Sequence, residues 1–186
     1  MSNFWFTSDT HFGHKNIIEY CNRPFKTLED MDNTIIRKWN ERVKPDDIVF
    51  HLGDFCFRNS PGGKLGEGTI HNAIYYEKQL NGKIILIQGN HDRNNSSKSI
   101  IHNATIKFGG RTINLVHNPE HAKYAMLNFV GHVHEKWKYK KEKDVSCGGV
   151  TNIINVGVDQ WNFYPITGQE IFQFLAKMKK ENKYES

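Results

Sequence analysis

Long apolar runs are missing from this 186-residue chain: stretches such as "KIILI" and "NFVGHV" fall far short of the roughly 20 residues a membrane helix needs. A soluble protein with no membrane partner is expected. The opening "MSNFWFTSD" lacks the basic segment, apolar core and small-residue cleavage site of a secretory signal, which sets the cytoplasm as the expected location. Cysteine is scarce. Cys21, Cys56 and Cys147 are odd in number and far apart, matching neither a disulfide framework nor a paired-cysteine zinc motif, and they read as reduced thiols. A nucleotide-type glycine loop is lacking as well: in "FRNSPGGKLGEG" (57–68) no Ser or Thr follows Gly-Lys, so the segment reads as a plain loop, able to act as a lid. With no internal repeat and no interdomain linker, the expectation is one domain over 1–186, with about 183–186 as a frayed tail.

Basic residues exceed acidic ones by 25 to 20, giving a formal net charge of +5 and a bias towards anionic partners. Short runs rich in β-branched and aromatic residues recur at 3–9, 47–54, 83–90, 104–118, 128–134 and 152–159, each about strand length. Between them "LEDMDNTIIRKWNERV" (28–43) places Leu28, Met31, Ile35, Trp39 and Val43 on one helical face, with Thr27 as N-cap and Pro45 as stop. Further helices are expected at about 69–80 and 167–182. That order argues for an α/β fold with some antiparallel pairing.

The recurrent oddity is polar chemistry at strand ends. The first strand closes on Asp9-Thr10-His11, the second on Gly53-Asp54, the third on Gly89-Asn90-His91-Asp92; His117 follows "INLV", and Gly131-His132-Val133-His134 follows "NFV". In α/β sheets the carboxyl ends of strands share one rim, where ligands bind. Two carboxylates, one amide carbonyl and the imidazoles of His11, His117, His132 and His134 form a mixed oxygen and nitrogen set without thiolates. Such a set suits manganese, iron, zinc or nickel and argues against calcium or a structural thiolate zinc. Seven donors are too many for one tetrahedral ion and suit two ions bridged by a shared carboxylate. His91 and Asp92 are left over.

In order, "SDTHF", "LGDF", "QGNHDR", "LVHNP" and "GHVH" resemble the motifs of the calcineurin-like metallophosphoesterase superfamily, spanning residues 9 to 134. "HFGHKNII", "NRPF" and "NVGVDQWNFYP" resemble a compact bacterial and phage-borne branch of it. The resemblance implies two packed mixed β-sheets flanked by helices, with a dinuclear site on the rim. It implies that Asp9, His11, Asp54 and His134 hold one ion, and that Asp54 bridges to a second completed by Asn90, His117 and His132. The implied activity is a dinuclear-metal phosphohydrolase, manganese being the first choice of ion, that attacks a phosphate ester with a metal-bridging hydroxide. His91 is then the proton donor to the leaving group, with Asp92 fixing its tautomer.

A phosphodiesterase acting on nucleotides or nucleic-acid ends is the leading expectation. A phosphomonoesterase or phosphoprotein phosphatase is the alternative, and a non-catalytic scaffold on the same fold stands behind both. His14, Arg23 and Arg93 are candidate substrate contacts, the arginines as planar forks for phosphate. His51 reads as a core histidine; His71, His102 and His121 read as surface residues. "KWKYKKEK" (136–143) fits a solvated hairpin with its aromatic side packed inward better than a nucleic-acid strip, although basic and aromatic residues do interleave there.

Overall fold

A computed structural model describes residues 3–57, 71–92, 99–143 and 149–181. The expected helix at 28–43 is α2, Leu28–Arg42; Thr27 caps it by accepting the Asp30 amide at 3.1 Å, and Met31, Ile35 and Trp39 form its buried stripe. It is preceded by the short α1, Asn16–Tyr20. The helix expected at 69–80 is a shorter α3, Ala73–Glu77, begun by Asn72, whose side chain accepts the Tyr75 amide. The last helix, α4, spans Gly168–Glu181.

Nine strands form two sheets among the described residues. One has the order β3-β2-β1-β9, with β1 Phe4–Thr7, β2 Ile48–His51, β3 Lys83–Leu86 and β9 Ile166–Thr167. The other has the order β4-β5-β6-β8-β7, with β4 Asn103–Phe108, β5 Arg111–Val116, β6 Leu127–Val130, β7 Tyr139–Lys143 and β8 Val150–Asn155. β1, β2 and β3 are parallel with Thr7, His51 and Leu86 in one row, and β5, β6 and β8 are parallel with Val130 opposite Asn155. Parallel register makes the chain leave all these strands at the same edge. A bridge between Ser8 and Gly157 joins the two sheets there.

Both sheets are mixed and flanked by helices, as the fold reading requires. Between them Phe6, Phe50 and Ile87 meet Ile113, Leu115, Phe129 and Ile154, with Ile171 and Leu175 of α4 closing the layer. On the outer face of the first sheet, Trp5 and Val49 pack against Met31, Ile35 and Trp39 of α2 and Tyr76 of α3. Trp39 is 1% exposed, so truncating it to Ala should cost about 3–5 kcal/mol.

The sequence pattern missed β9, which is two residues long. β7, "YKKEK", has no apolar alternation; it pairs antiparallel with β8 through a backbone ladder, in keeping with the solvated hairpin expected there. Its lysines blunt an exposed sheet edge. Trp137 packs against Val116, Val130 and Ile153, and Tyr139 packs towards the inter-sheet core, the inward-facing aromatic arrangement expected of this segment. Arg93, Cys147, the 183–186 tail and most of the 57–68 loop lie outside the described residues.

Candidate metal centre

The shared rim gathers the expected donors into two clusters. Asp9, His11 and His134 form one and Asp54, His117 and His132 the other, the ligating atoms of each lying within 4.8 Å of one another. One oxygen lies between them: Asp54 Oδ2 is 3.6 Å from His11 Nε2 and 3.4 Å from His117 Nε2. Asn90 joins the second cluster, its Oδ1 being 3.0 Å from His117 Nε2 and 3.0 Å from His132 Nδ1.

The backbone is distorted to achieve this. Asp9, His11, Asp54, His132 and His134 all have positive φ, from 46° to 71°, and they make up five of the nine non-glycine residues in that region among those described. Each such residue costs about 1 kcal/mol or more, a concentration expected where function holds the strain in place. Backbone bonds from the Asp9 amide to the Gly53 carbonyl and from the His11 amide to the Asp54 carbonyl, each 3.0 Å, clamp the first two loops together. Gly89 and Gly131 are required by space: a Cβ on Gly89 would lie 2.2 Å from Asp54 Oδ1, and one on Gly131 would lie 2.0 Å from Ser8 Oγ.

The proton inventory fits cations. His117 Nδ1 lies 2.7 Å from the Leu52 carbonyl and donates to it, so the Nε2 lone pair of the neutral ring points at two oxygens, on Asn90 and Asp54. Three acceptors facing one another repel unless a proton or a metal ion lies between them. Neither ring nitrogen of His11, a residue only 1% exposed, has a hydrogen-bond partner. A buried, bare imidazole beside two carboxylates suits metal ligation.

The buried carboxylates and imidazoles shift one another's proton affinities. Burial would lower His117, but its hydrogen bond to Asp54 and the charges of Asp9 and Asp54 prevail and raise it to about 9. Burial would raise Asp54, yet contact with His117, the charge of His11 and the His91 amide push it well below the usual carboxylate range. Burial lowers His11 strongly and raises Asp9, the latter against the charges of His117 and His134.

His91 is exposed, and its ring stands 5.5 Å from that of His11, outside both clusters. Its amide donates to Asp54 Oδ1 at 2.9 Å, tying its position to the carboxylate between the clusters. Asp92 was expected to orient the His91 ring. Instead its oxygens accept the backbone amides of Asp54 (2.7 Å), Gly89 (2.8 Å) and Phe55 (3.0 Å), so it holds two loops together.

His14 is buried, stacked on Phe57 at 3.7 Å between centroids and 6.4 Å from His91. Arg23 corrects the sequence reading. Its Nε and Nη2 grip Asp159, Nη2 also donates to the Asp9 carbonyl, and Nη1 donates to the Thr10 carbonyl and Met31 Sδ. All five N–H groups are committed, leaving none for a phosphate. Asp159, which sequence reasoning did not select, lies 3.4 Å from His134 Nδ1. The only signal for it was its place in "NVGVDQW". His51 is fully buried, as expected of a core histidine, with Nε2 3.0 Å from Thr10 Oγ1.

Residues 2–180 match the profile of the family described as calcineurin-like phosphoesterase. The chain is 35% identical over 182 residues to uncharacterized protein MJ1445 of Methanocaldococcus jannaschii, covering 96% of this chain and 94% of that one. It is 41% identical over 92 residues to the Gene 66 protein of Mycobacterium phage L5, or 50% of this chain and 41% of the phage protein. Among solved structures, AQ665 of Aquifex aeolicus, a protein of unknown function, shares the fold with a TM-score of 0.65 and 24% identity, covering 94% of this chain and 100% of that one.

Proposed function

The chain belongs to the calcineurin-like phosphoesterase family and is a metal-dependent phosphoester hydrolase; from that premise we propose that it is a phosphodiesterase acting on nucleotide or nucleic-acid-type diesters. In this reading Asp9, His11 and His134 would hold one ion and Asn90, His117 and His132 the other, with Asp54 placed to serve both. Two divalent ions so held supply Lewis acidity and a water acidic enough to deprotonate near neutral pH. Manganese suits the mixed carboxylate, amide and imidazole donors. The chain acts in the cytoplasm.

The observation that carries the reading is His91. An unactivated diester expels a strongly basic alkoxide, which needs a proton as the bond breaks. His91 offers a ring nitrogen from an exposed position beside His11, while its amide bond to Asp54 keeps the ring against the centre. Asp92 preserves that placement by pinning the Gly89 and Asp54 amides. The commitment of Arg23 removes one candidate contact for the second negative charge that a monoester carries at neutral pH and a diester lacks.

The test is hydrolysis of matched aryl diester and monoester phosphates by the manganese-loaded protein, followed by cyclic nucleotides, dinucleotides and short RNA and DNA. A kcat/KM at least about tenfold higher for the diester, about 1.4 kcal/mol in transition-state binding, is expected. A preference for the monoester would replace this reading with a phosphomonoesterase.

A further inference from the structure

The segment "NVGVDQW" (155–161) and Arg23 stand behind His134, and neither takes part in the chemistry above. Building on the metal-site reading, the geometry points to Asp159, gripped by Arg23, as the positioning residue that fixes the tautomer and direction of His134 for the first ion. An ionised carboxylate only accepts, so Asp159 Oδ2, 3.4 Å from His134 Nδ1, places the ring proton on Nδ1. The lone pair of the other nitrogen is thereby turned towards Asp9 and His11. Ligating histidines are commonly oriented by such an outer carboxylate.

Asp159 is itself immobilised. Arg23 donates from Nε to Oδ1 at 2.8 Å and from Nη2 to Oδ2 at 2.9 Å, the two side chains being 0% and 4% exposed. The same guanidinium donates to the Asp9 carbonyl at 2.7 Å and the Thr10 carbonyl at 3.1 Å. One buried cation therefore sets both the carboxylate behind His134 and the backbone that carries Asp9.

Asn155 Nδ2 and Gln160 Nε2 each donate to the His134 carbonyl at 2.8 Å, which steadies that residue in its left-handed conformation. The second cluster is supported separately, through the bond from His117 Nδ1 to the Leu52 carbonyl. Loss of Asp159 should therefore fall on one ion and spare the other.

The experiment is equilibrium dialysis of Asp159→Asn against manganese with elemental analysis, alongside thermal melting in chelator to establish folding. The wild-type chain should bind two equivalents. Asp159→Asn should keep one at wild-type affinity and lose about 10–100-fold in the other, and Asp159→Glu should recover part of the loss. His132→Ala should lose the opposite equivalent, and the His132→Ala/Asp159→Asn chain should lose both. If the unpaired Arg23 charge prevents folding of the single variant, Arg23→Gln/Asp159→Asn is compared with Arg23→Gln, which already frees the Asp9 and Thr10 carbonyls, and should lose further affinity in the same equivalent. Two equivalents at wild-type affinity, or equal weakening of both, would overturn the role of Asp159 alone. Absence of manganese binding by the wild-type chain would overturn the metal-site reading as well. Diester turnover does not enter the measurement.

Discussion

Gly89→Ala isolates the close approach of the third loop to Asp54. The added methyl carbon would sit 2.2 Å from Asp54 Oδ1 and 2.3 Å from the Asp54 backbone nitrogen, where real contacts stay above about 3.0 Å. The backbone atom cannot rotate away, so one loop must move by about 1 Å to restore van der Waals separation. Overpacking of this kind costs about 1–3 kcal/mol, and at about 2–4 °C per kcal/mol for a chain of this size the melting temperature should fall by about 2–12 °C. The functional loss should be larger than the stability loss implies. A shift of about 1 Å in a group shared by two clusters lowers kcat/KM by about 100-fold. Thermal melts in chelator, manganese content and diester hydrolysis measure the three quantities. A variant that stays folded with wild-type metal content and turnover would refute the idea that space around Asp54 dictates glycine here.

Asp92→Asn should lower stability by about 1–3 kcal/mol in urea melts, because it replaces one acceptor oxygen by a donor facing a buried amide, and manganese content should fall with it. His91→Ala should reduce turnover of an unactivated diester by about 10²–10⁴-fold while elemental analysis still finds the metals. Two buried groups outside the centre give opposite pH trends. Burial raises Asp32 from 3.8 to about 7, against hydrogen bonds from Tyr76 and Gly13, so its contribution to stability is present at low pH and lost as pH rises through 7. Burial depresses His51 from 6.5 to about 3, so its contribution is present above 6.5 and lost as pH falls towards 3. Relative to wild type in chelator, Asp32→Asn should gain stability from pH 4 to 7 and His51→Gln should lose it from pH 3 to 6.5, each by up to about 4 kcal/mol. Urea melts across that range check both signs.

The candidate ligands were legible because ligation demands particular residue types, and parallel strands deliver them to one edge. "KIILIQGNHD" shows its chemistry without coordinates. What the sequence hides is conformation and distant pairing. Positive φ at Asp9, His11, Asp54, His132 and His134 is set by loop-to-loop bonds, and local propensity would have favoured glycine at such positions. Arg23 looked like a phosphate fork because its partner, Asp159, is 136 residues away. Asp92 looked like a ring-orienting acid because the Asp54 and Phe55 amides it accepts belong to another loop. β9 was missed because its pairing partner, not its own side-chain pattern, makes it a strand.

Metal stoichiometry of Asp54→Ala tests the shared-carboxylate centre most directly, since one oxygen of Asp54 faces both clusters. The wild-type chain should hold two manganese ions after desalting, and the variant, folded by thermal melt, should hold neither tightly. Two tightly bound ions in that variant would contradict a centre bridged by Asp54.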